Sequence, residues 1–173
     1  VFGSIASKLP HARSLPEFVE FVAGNFDPSV TWKDVEWIRD RWGGPLVVKG
    51  VMEAADARLA ADAGAHAVIV SNHGGRQLDS VPSTISALPA IADAVGDRVD
   101  VIFDGGVRSG LDVVKALALG AKGCLIGRAW VWALAAQGEA GVTQMLQTMR
   151  REILVAMALS GVTSVSAIDR SLL

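Results

Sequence analysis

AVIVSNHGGRQLD, residues 67–79, passes without a break from an apolar run into a serine, a histidine, two glycines, an arginine and an aspartate. A short apolar run rich in β-branched residues and bounded by turn formers reads as a buried strand, Ala67 to Val70. The polar residues after the strand form either a plain turn or a loop built to meet a ligand, and taken alone such a cluster fits the turn better. The neighbouring segments decide the matter, because each apolar run in the chain ends in the same manner.

Before this stretch, Leu46-Val47-Val48 ends in Lys49, and a helix over Glu53 to Ala63 is closed by Gly64. After it comes an apolar helix near 84–95. Val101-Ile102-Phe103 then runs into Asp104-Gly105-Gly106 and a helix from Ser109 to Leu119, with Asp112 three residues after its cap. Cys124-Leu125-Ile126 runs into Gly127-Arg128 and a helix near 129–136. A last amphipathic helix, roughly 141–160, places Val142, Met145, Leu146, Met149, Ile153 and Met157 on one face. Strands that alternate with helices pair in parallel, since each return to the strand start needs a crossover. The class is α/β. Pattern alone leaves two architectures: half of an eight-fold barrel, whose full form takes about 250 residues, or a small open doubly wound sheet.

Residues 1–28 mix Gly, Pro, Ser and basic residues with scattered large apolar ones, and read as a long opening loop with a short helix near 15–24. Residues 29–173 form the strand–helix body. Thr31 and Asp34 start its first helix in capping-box fashion, Val35, Ile38 and Trp42 give that helix a buried stripe, and Gly43-Gly44-Pro45 stops it.

Composition narrows the function. With 16 basic against 18 acidic residues and no basic tract, nucleic acid is not an expected partner. The lone cysteine, Cys124, rules out a disulfide framework and reads as a buried thiol. No apolar stretch approaches the ~20 residues of a membrane span, and no spaced ligand set suggests a metal. The chain opens on Val1 rather than methionine and has no tyrosine, as a piece of something longer would.

The strand ends carry the chemistry. Lys49 shares a strand face with Val47, so its amine either snorkels from a wall or points at an anion. Asp104-Gly105-Gly106-Val107-Arg108-Ser109-Gly110 is a glycine-rich turn leading into a helix, where backbone N–H groups and the helix terminus favour negative charge. Gly127-Arg128 repeats the arrangement after the next strand. Two such turns in succession, each with an arginine, match the place where eight-fold barrels bind phosphate. In the opening stretch, Ser71 and His73 share parity, Gly74 and Gly75 allow close approach, and Arg76 offers a fork for a carboxylate. A base next to a carboxylate clamp suits removal of a proton from a small acid. Ser71 lacks a nucleophile elbow, so a hydrolase triad is not indicated. His11 and His66 read as surface or packing residues, and the tryptophans at 32, 37, 42, 130 and 132 as core or interface packing.

LVVKG (46–50), SNHGGRQLD (71–79), DGGVRSGLDVVKALALGA (104–121) and GR (127–128) together resemble the FMN-dependent α-hydroxy acid oxidases and dehydrogenases. NFDPSVTWKDVEWIRDRW (25–42) and VAMALSGVTS (155–164) look most like the bacterial respiratory L-lactate dehydrogenase branch. The resemblance implies strands five to eight of a TIM barrel and FMN as cofactor. It implies that Lys49 lies by the flavin N1 and C2 carbonyl, that Ser71 contacts the flavin or its ribityl chain, that His73 is the catalytic base and that Arg76 clamps the substrate carboxylate. Asp104, Gly105, Gly106, Arg108, Gly127 and Arg128 would hold the ribityl and phosphate groups. The implied reaction is oxidation of an L-2-hydroxy acid, lactate foremost, to the 2-oxo acid. An oxygen-using oxidase, a flavin-barrel isomerase and a non-catalytic FMN- or phosphate-binding half-barrel are the alternatives.

Family parts that belong to the first four strands are not found here, among them a second substrate arginine, an aspartate that orients the histidine, and two tyrosines. The expected partner is therefore an amino-terminal half-barrel, as a segment or a separate chain, within a homo-oligomer that the family builds as a tetramer. The resemblance further implies a cytoplasmic protein. Residues 1–13, with Phe2, Ile5, Lys8, Leu9 and Arg13, are the candidate for contact with the inner face of the cell membrane, against the plainer reading of a surface loop.

Overall fold

In the computed structural model, which describes residues 14–173, the apolar runs become four strands: β1 (Val47–Val51), β2 (Ala67–Val70), β3 (Asp100–Asp104) and β4 (Gly123–Leu125). All pairings are parallel and the order is β1-β2-β3-β4. This settles the choice of architecture. A doubly wound sheet reverses its strand order at a switch point and carries helices on both faces. Here each strand lies beside its predecessor, as successive staves of a barrel do.

Helices α1 (Leu15–Gly24) and α2 (Trp32–Trp42) precede the sheet, and α3 (Ala54–Asp62), α4 (Thr84–Val95) and α5 (Gly110–Ala118) are the crossovers. Val68, Val70, Val101 and Phe103 alternate along β2 and β3 and pack against Ala57, Ala60, Leu88, Ile91, Val95 and Ala116. Residues of the opposite parity, Val47, Ile69, Ile102 and Leu125, lie outside this cluster, half-exposed or exposed. One face of the sheet is thus a finished core and the other is open, the inner surface of a half-barrel. Burying an alternating strand on one face only is what sets its register.

Several helix ends obey local rules. Ser109 Oγ accepts the Asp112 N–H at 3.2 Å, while the Asp112 carboxylate accepts the Ser109 N–H at 2.9 Å, closing a reciprocal capping box. At α2 Thr31 and Asp34 form the expected capping box, and Asp34 Oδ2 accepts both the Thr31 N–H and its hydroxyl, each at 2.7 Å. Gly43 ends α2 in the left-handed conformation at φ 64°. The final helix, α6 (Arg128–Leu159), joins the two helices expected near 129–136 and 141–160, which meet at a break where Gln137 and Gly138 leave helical geometry. Met149 and Met157 are buried on its inner face, whereas Leu146 is half-exposed.

The buried stripe expected on α2 is not formed. None of its residues is buried; Ile38 is 43% and Trp42 66% exposed. The helix reaches the core through Trp32 alone, and its other tie is polar, with Arg39 Nη1 donating to the Ala63 carbonyl at 2.8 Å. Among the described residues nothing covers the stripe. Trp130 and Trp132 are likewise 42% and 72% exposed on α6. His66 fits its structural reading. It pairs with Leu46 through backbone and Nδ1, and its carbonyl accepts the Asp100 N–H, tying the starts of three strands together. Cys124 is free, and burial pushes its thiol up to about 11, away from reactivity. His11 and the candidate membrane-contact residues 1–13 lie outside the described residues. Among those described, no helix is long and apolar enough to cross a membrane.

Candidate active site

At the carboxyl end of the sheet the strands deliver their polar residues to one place. Lys49 Nζ donates to Ser71 Oγ at 2.8 Å and to Asp104 Oδ2 at 2.7 Å, and the Ser71 hydroxyl donates to the same Asp104 oxygen at 2.6 Å. Each member comes from a different strand end, β1, β2 and β3, and parity puts all three on the open face. Ser71 is 1% exposed, and a buried hydroxyl must spend its hydrogen-bonding capacity inside the protein. It does so fully, since Ser71 Oγ also accepts the His73 N–H at 3.1 Å. Ser71 thereby pins the next loop to Lys49.

Burial would raise the Asp104 carboxyl, but the hydrogen bonds from Lys49 and Ser71, with the positive charge of Lys49 and a smaller contribution from His73, outweigh it and hold Asp104 below the ordinary carboxylate range. A depressed folded value means that the unfolded chain binds the proton more readily, so stability from this group rises with pH. In urea titrations the penalty of Asp104→Asn is therefore expected in full above the unfolded value of 3.8 and to fade as pH falls through the lower folded value. A penalty that stays constant through that acid range would show that the ionised carboxylate is not what the cluster needs.

The loop after β2 is a short 3-10 turn, His73–Gly75. His73 itself holds a positive φ of 55°, as do Gly74 and Gly75 at 69° and 71°, a conformation unusual for a residue with a side chain. Three contacts maintain it. Ser71 holds the His73 N–H, Asn72 Oδ1 accepts the Gly74 N–H at 3.0 Å, and Asn72 Nδ2 donates to the Pro82 carbonyl at 3.3 Å. Arg76 Nε reaches the His73 carbonyl at 3.4 Å. His73 and Arg76 are both exposed at the mouth of the half-barrel.

Beside this loop is a hollow of about 550 Å³, lined among others by Gly74, Gly75, Gly105, Gly106, Lys115 and Arg128. The Arg128 guanidinium lies over Gly74, where an added Cβ would meet Nη2 at 3.4 Å. Gly105, at φ 115°, is pressed against Thr84, whose Oγ1 would be 2.6 Å from a Cβ at that position, so the turn tolerates no side chain there. Asp112 also lines the hollow, but its Oδ2 already accepts the Arg108 and Ser109 N–H groups at 2.9 Å each. Two cations over a glycine floor suit the hollow to an anion.

The structure thus unites Lys49, Ser71, Asp104 and His73 directly, and sets Gly105, Gly106 and Arg128 next to them. Gly127 caps α6 immediately before Arg128. Arg108 is placed apart. Its exposed side chain lines a separate hollow of about 360 Å³ against α6, with Gln144, Thr148 and Glu152. Lys115 and Thr84 were not anticipated. Lys115 is one helix turn beyond Asp112, a spacing that any exposed lysine could share. Gly50 was also missed, although it comes directly after Lys49 in the motif; a Cβ on it would sit 2.8 Å from His73 Cε1.

Comparison with known proteins agrees with this fold. A sequence model described as FMN-dependent dehydrogenase matches residues 4–173. An L-lactate dehydrogenase of Caulobacter vibrioides (strain NA1000 / CB15N) is 61% identical over 171 residues, covering 99% of this chain and 45% of the relative. One of Pseudomonas syringae pv. syringae (strain B728a) is 54% identical over the same shares. The chain therefore spans about half the length of the curated relatives it matches. Among solved structures, mandelate oxidase with 3,3-difluoro-2-hydroxy-3-phenylpropionic acid superposes with a TM-score of 0.79 at 49% identity, covering 84% of this chain and 44% of that one. The four-stranded sheet is accordingly half of an α/β barrel, and the chain belongs to the FMN-dependent dehydrogenase family.

Proposed function

We propose that this chain supplies the base, the carboxylate clamp and the cofactor-phosphate seat of an FMN-dependent enzyme that oxidises an L-2-hydroxy acid, with L-lactate as first substrate, to the 2-oxo acid. The observation that carries the reading is the convergence of Lys49, Ser71 and Asp104 within hydrogen-bond distance, beneath His73 and beside the hollow that Arg128 overhangs. The relatives' names, L-lactate dehydrogenase and mandelate oxidase, point to the same substrate class.

The residues present fit FMN. A hollow of this size is within the range of about 300–1,000 Å³ typical of ligand sites. The N–H groups of Gly105, Gly106 and Gly127, with Arg128 and Lys115, would hold the phosphate. Arg108, which lines the separate hollow against α6 and has no side-chain hydrogen bond or ion pair among the described residues, would have to swing back across the turn to reach it. Asp104 would meet the ribityl chain with Ser71 bonded behind it, and Lys49 would lie by the flavin N1 and C2 carbonyl. FMN, when bound, supplies the acceptor for the substrate's two electrons. The protein's part is to hold the acid by its carboxylate through Arg76 and to take a proton from it at the imidazole of His73. Fixed positive charge at Lys49 favours the negative charge that develops beside it.

Residues 1–28 would form the opening loop of this unit and 29–173 the half-barrel. The open sheet face and the unpaired outer edges of β1 and β4 among the described residues fit a complementary amino-terminal half. Anaerobic mixing of the full-length, FMN-loaded protein with L-lactate is expected to bleach the flavin absorbance and release one pyruvate per flavin. Retained FMN without bleaching by any small 2-hydroxy acid would favour the non-catalytic reading, and turnover of a diphosphate would favour an isomerase.

A further inference from the structure

We propose that the β-bulge at Gly50 is a positioning device for His73, seating the imidazole edge where a side chain would otherwise stand. The proposal deepens the assignment of His73 as base and rests on it. Lys49 pairs with Ile69 and Val51 with Val70, so the register slips between them and Gly50 has no partner in β2. Bulges of this kind occur beside active sites, where they re-aim side chains. This one has two consequences. It returns Val51, 5% exposed, to the buried face while leaving Lys49 on the open one. It also turns the Cα of Gly50, at φ 102°, toward the loop after β2.

A Cβ on Gly50 would lie 2.8 Å from His73 Cε1, 3.6 Å from Nδ1 and 3.8 Å from Nε2. Three ring atoms approach the same missing group, so the imidazole edge rests on the glycine. Adjacent residues of one strand thereby set the base in two ways. Lys49 fixes the backbone of His73 through Ser71, and Gly50 leaves room for the ring. A methyl at Gly50 pushes the exposed ring aside and, at φ 102°, also strains the strand backbone, so the His73→Asn background is needed to separate the two effects. Catalysis is sensitive to such displacements: ~1 Å at a reacting group can cost about 100-fold.

In the full-length, FMN-loaded enzyme, Gly50→Ala is expected to lower kcat about 100-fold with KM nearly unchanged and flavin content retained. In a His73→Asn background the same change is expected to lower the residual rate no further, since the ring it acts upon is gone. The NMR signal of His73 Cε1–H in histidine-labelled protein should shift in Gly50→Ala, whatever the rate does. An unmoved signal, a wild-type kcat, an equal loss in the His73→Asn background, or loss of bound FMN would each overturn the proposal. If His73→Asn itself retains full rate, the assignment of the base fails instead, and the NMR signal alone decides whether Gly50 seats the ring.

Discussion

Flavin reduction by L-lactate is expected to fall about 10⁴-fold when His73 is replaced, the upper end of what a positioned base contributes, while FMN stays bound. The choice of replacement matters. His73 sits at φ 55°, which alanine adopts with strain and asparagine tolerates better. His73→Asn therefore keeps the turn, and His73→Ala adds a loop perturbation to the loss of the base. The contacts that hold the loop do not involve the ring: Ser71 accepts the backbone N–H of residue 73, and Asn72 accepts that of Gly74. The Lys49–Ser71–Asp104 cluster and the Arg128 hollow should then survive either change. Stopped-flow absorbance gives the rate, and the flavin-to-protein ratio reports retention. Reduction within ten-fold of wild type in the asparagine variant would remove the imidazole from the chemistry.

The second large effect is on stability. Gly110→Val is expected to destabilise the folded protein by about 3 kcal/mol, the scale of severe overpacking. Gly110 begins α5 at its closest approach to α6, and its N–H donates to Glu152 Oε2 at 2.6 Å. A Cβ there would collide with the Met149 carbonyl oxygen and lie 2.6 Å from the Ile153 nitrogen. Both are backbone atoms of a helix and cannot turn aside, so α5 must lift away and the Glu152 bond must lengthen. The turn at 104–109 leads directly into α5, so FMN affinity should weaken as well. Urea unfolding of the full-length protein measures the first effect and flavin titration the second. Leu111→Ala, one residue on and exposed, is the control and should cost less than about 0.5 kcal/mol. Equal losses in the two variants would mean that the α5–α6 contact is not tight at Gly110.

The strands and crossover helices were legible because their signals are local. Ala67–Val70 and Thr84–Val95 have the observed bounds, and Ser109 and Asp112 cap α5 as their spacing indicates. Side-chain parity placed Lys49 on one face of β1, and the polar residues at successive strand ends do cluster at one end of the sheet. The apolar period of α2 misled, because periodicity reports which residues lie in line and not whether anything covers them. Ile38 and Trp42 lie in line and exposed.

What residue order determined here is the set of elements, their parallel pairing and the identity of the chemical groups, since alternation, helix caps and glycine turns act over a few residues. Tertiary structure alone decided the rest. It gave Ser71 to the Lys49–Asp104 pair, sent Arg108 toward α6 while Arg128 stayed by the histidine loop, brought Lys115 to the hollow beside Arg128, and slipped β1 by one residue at Gly50. Each of these depends on which distant backbone arrives alongside, and a bulge or a shared carboxylate leaves no periodic trace in the chain that forms it.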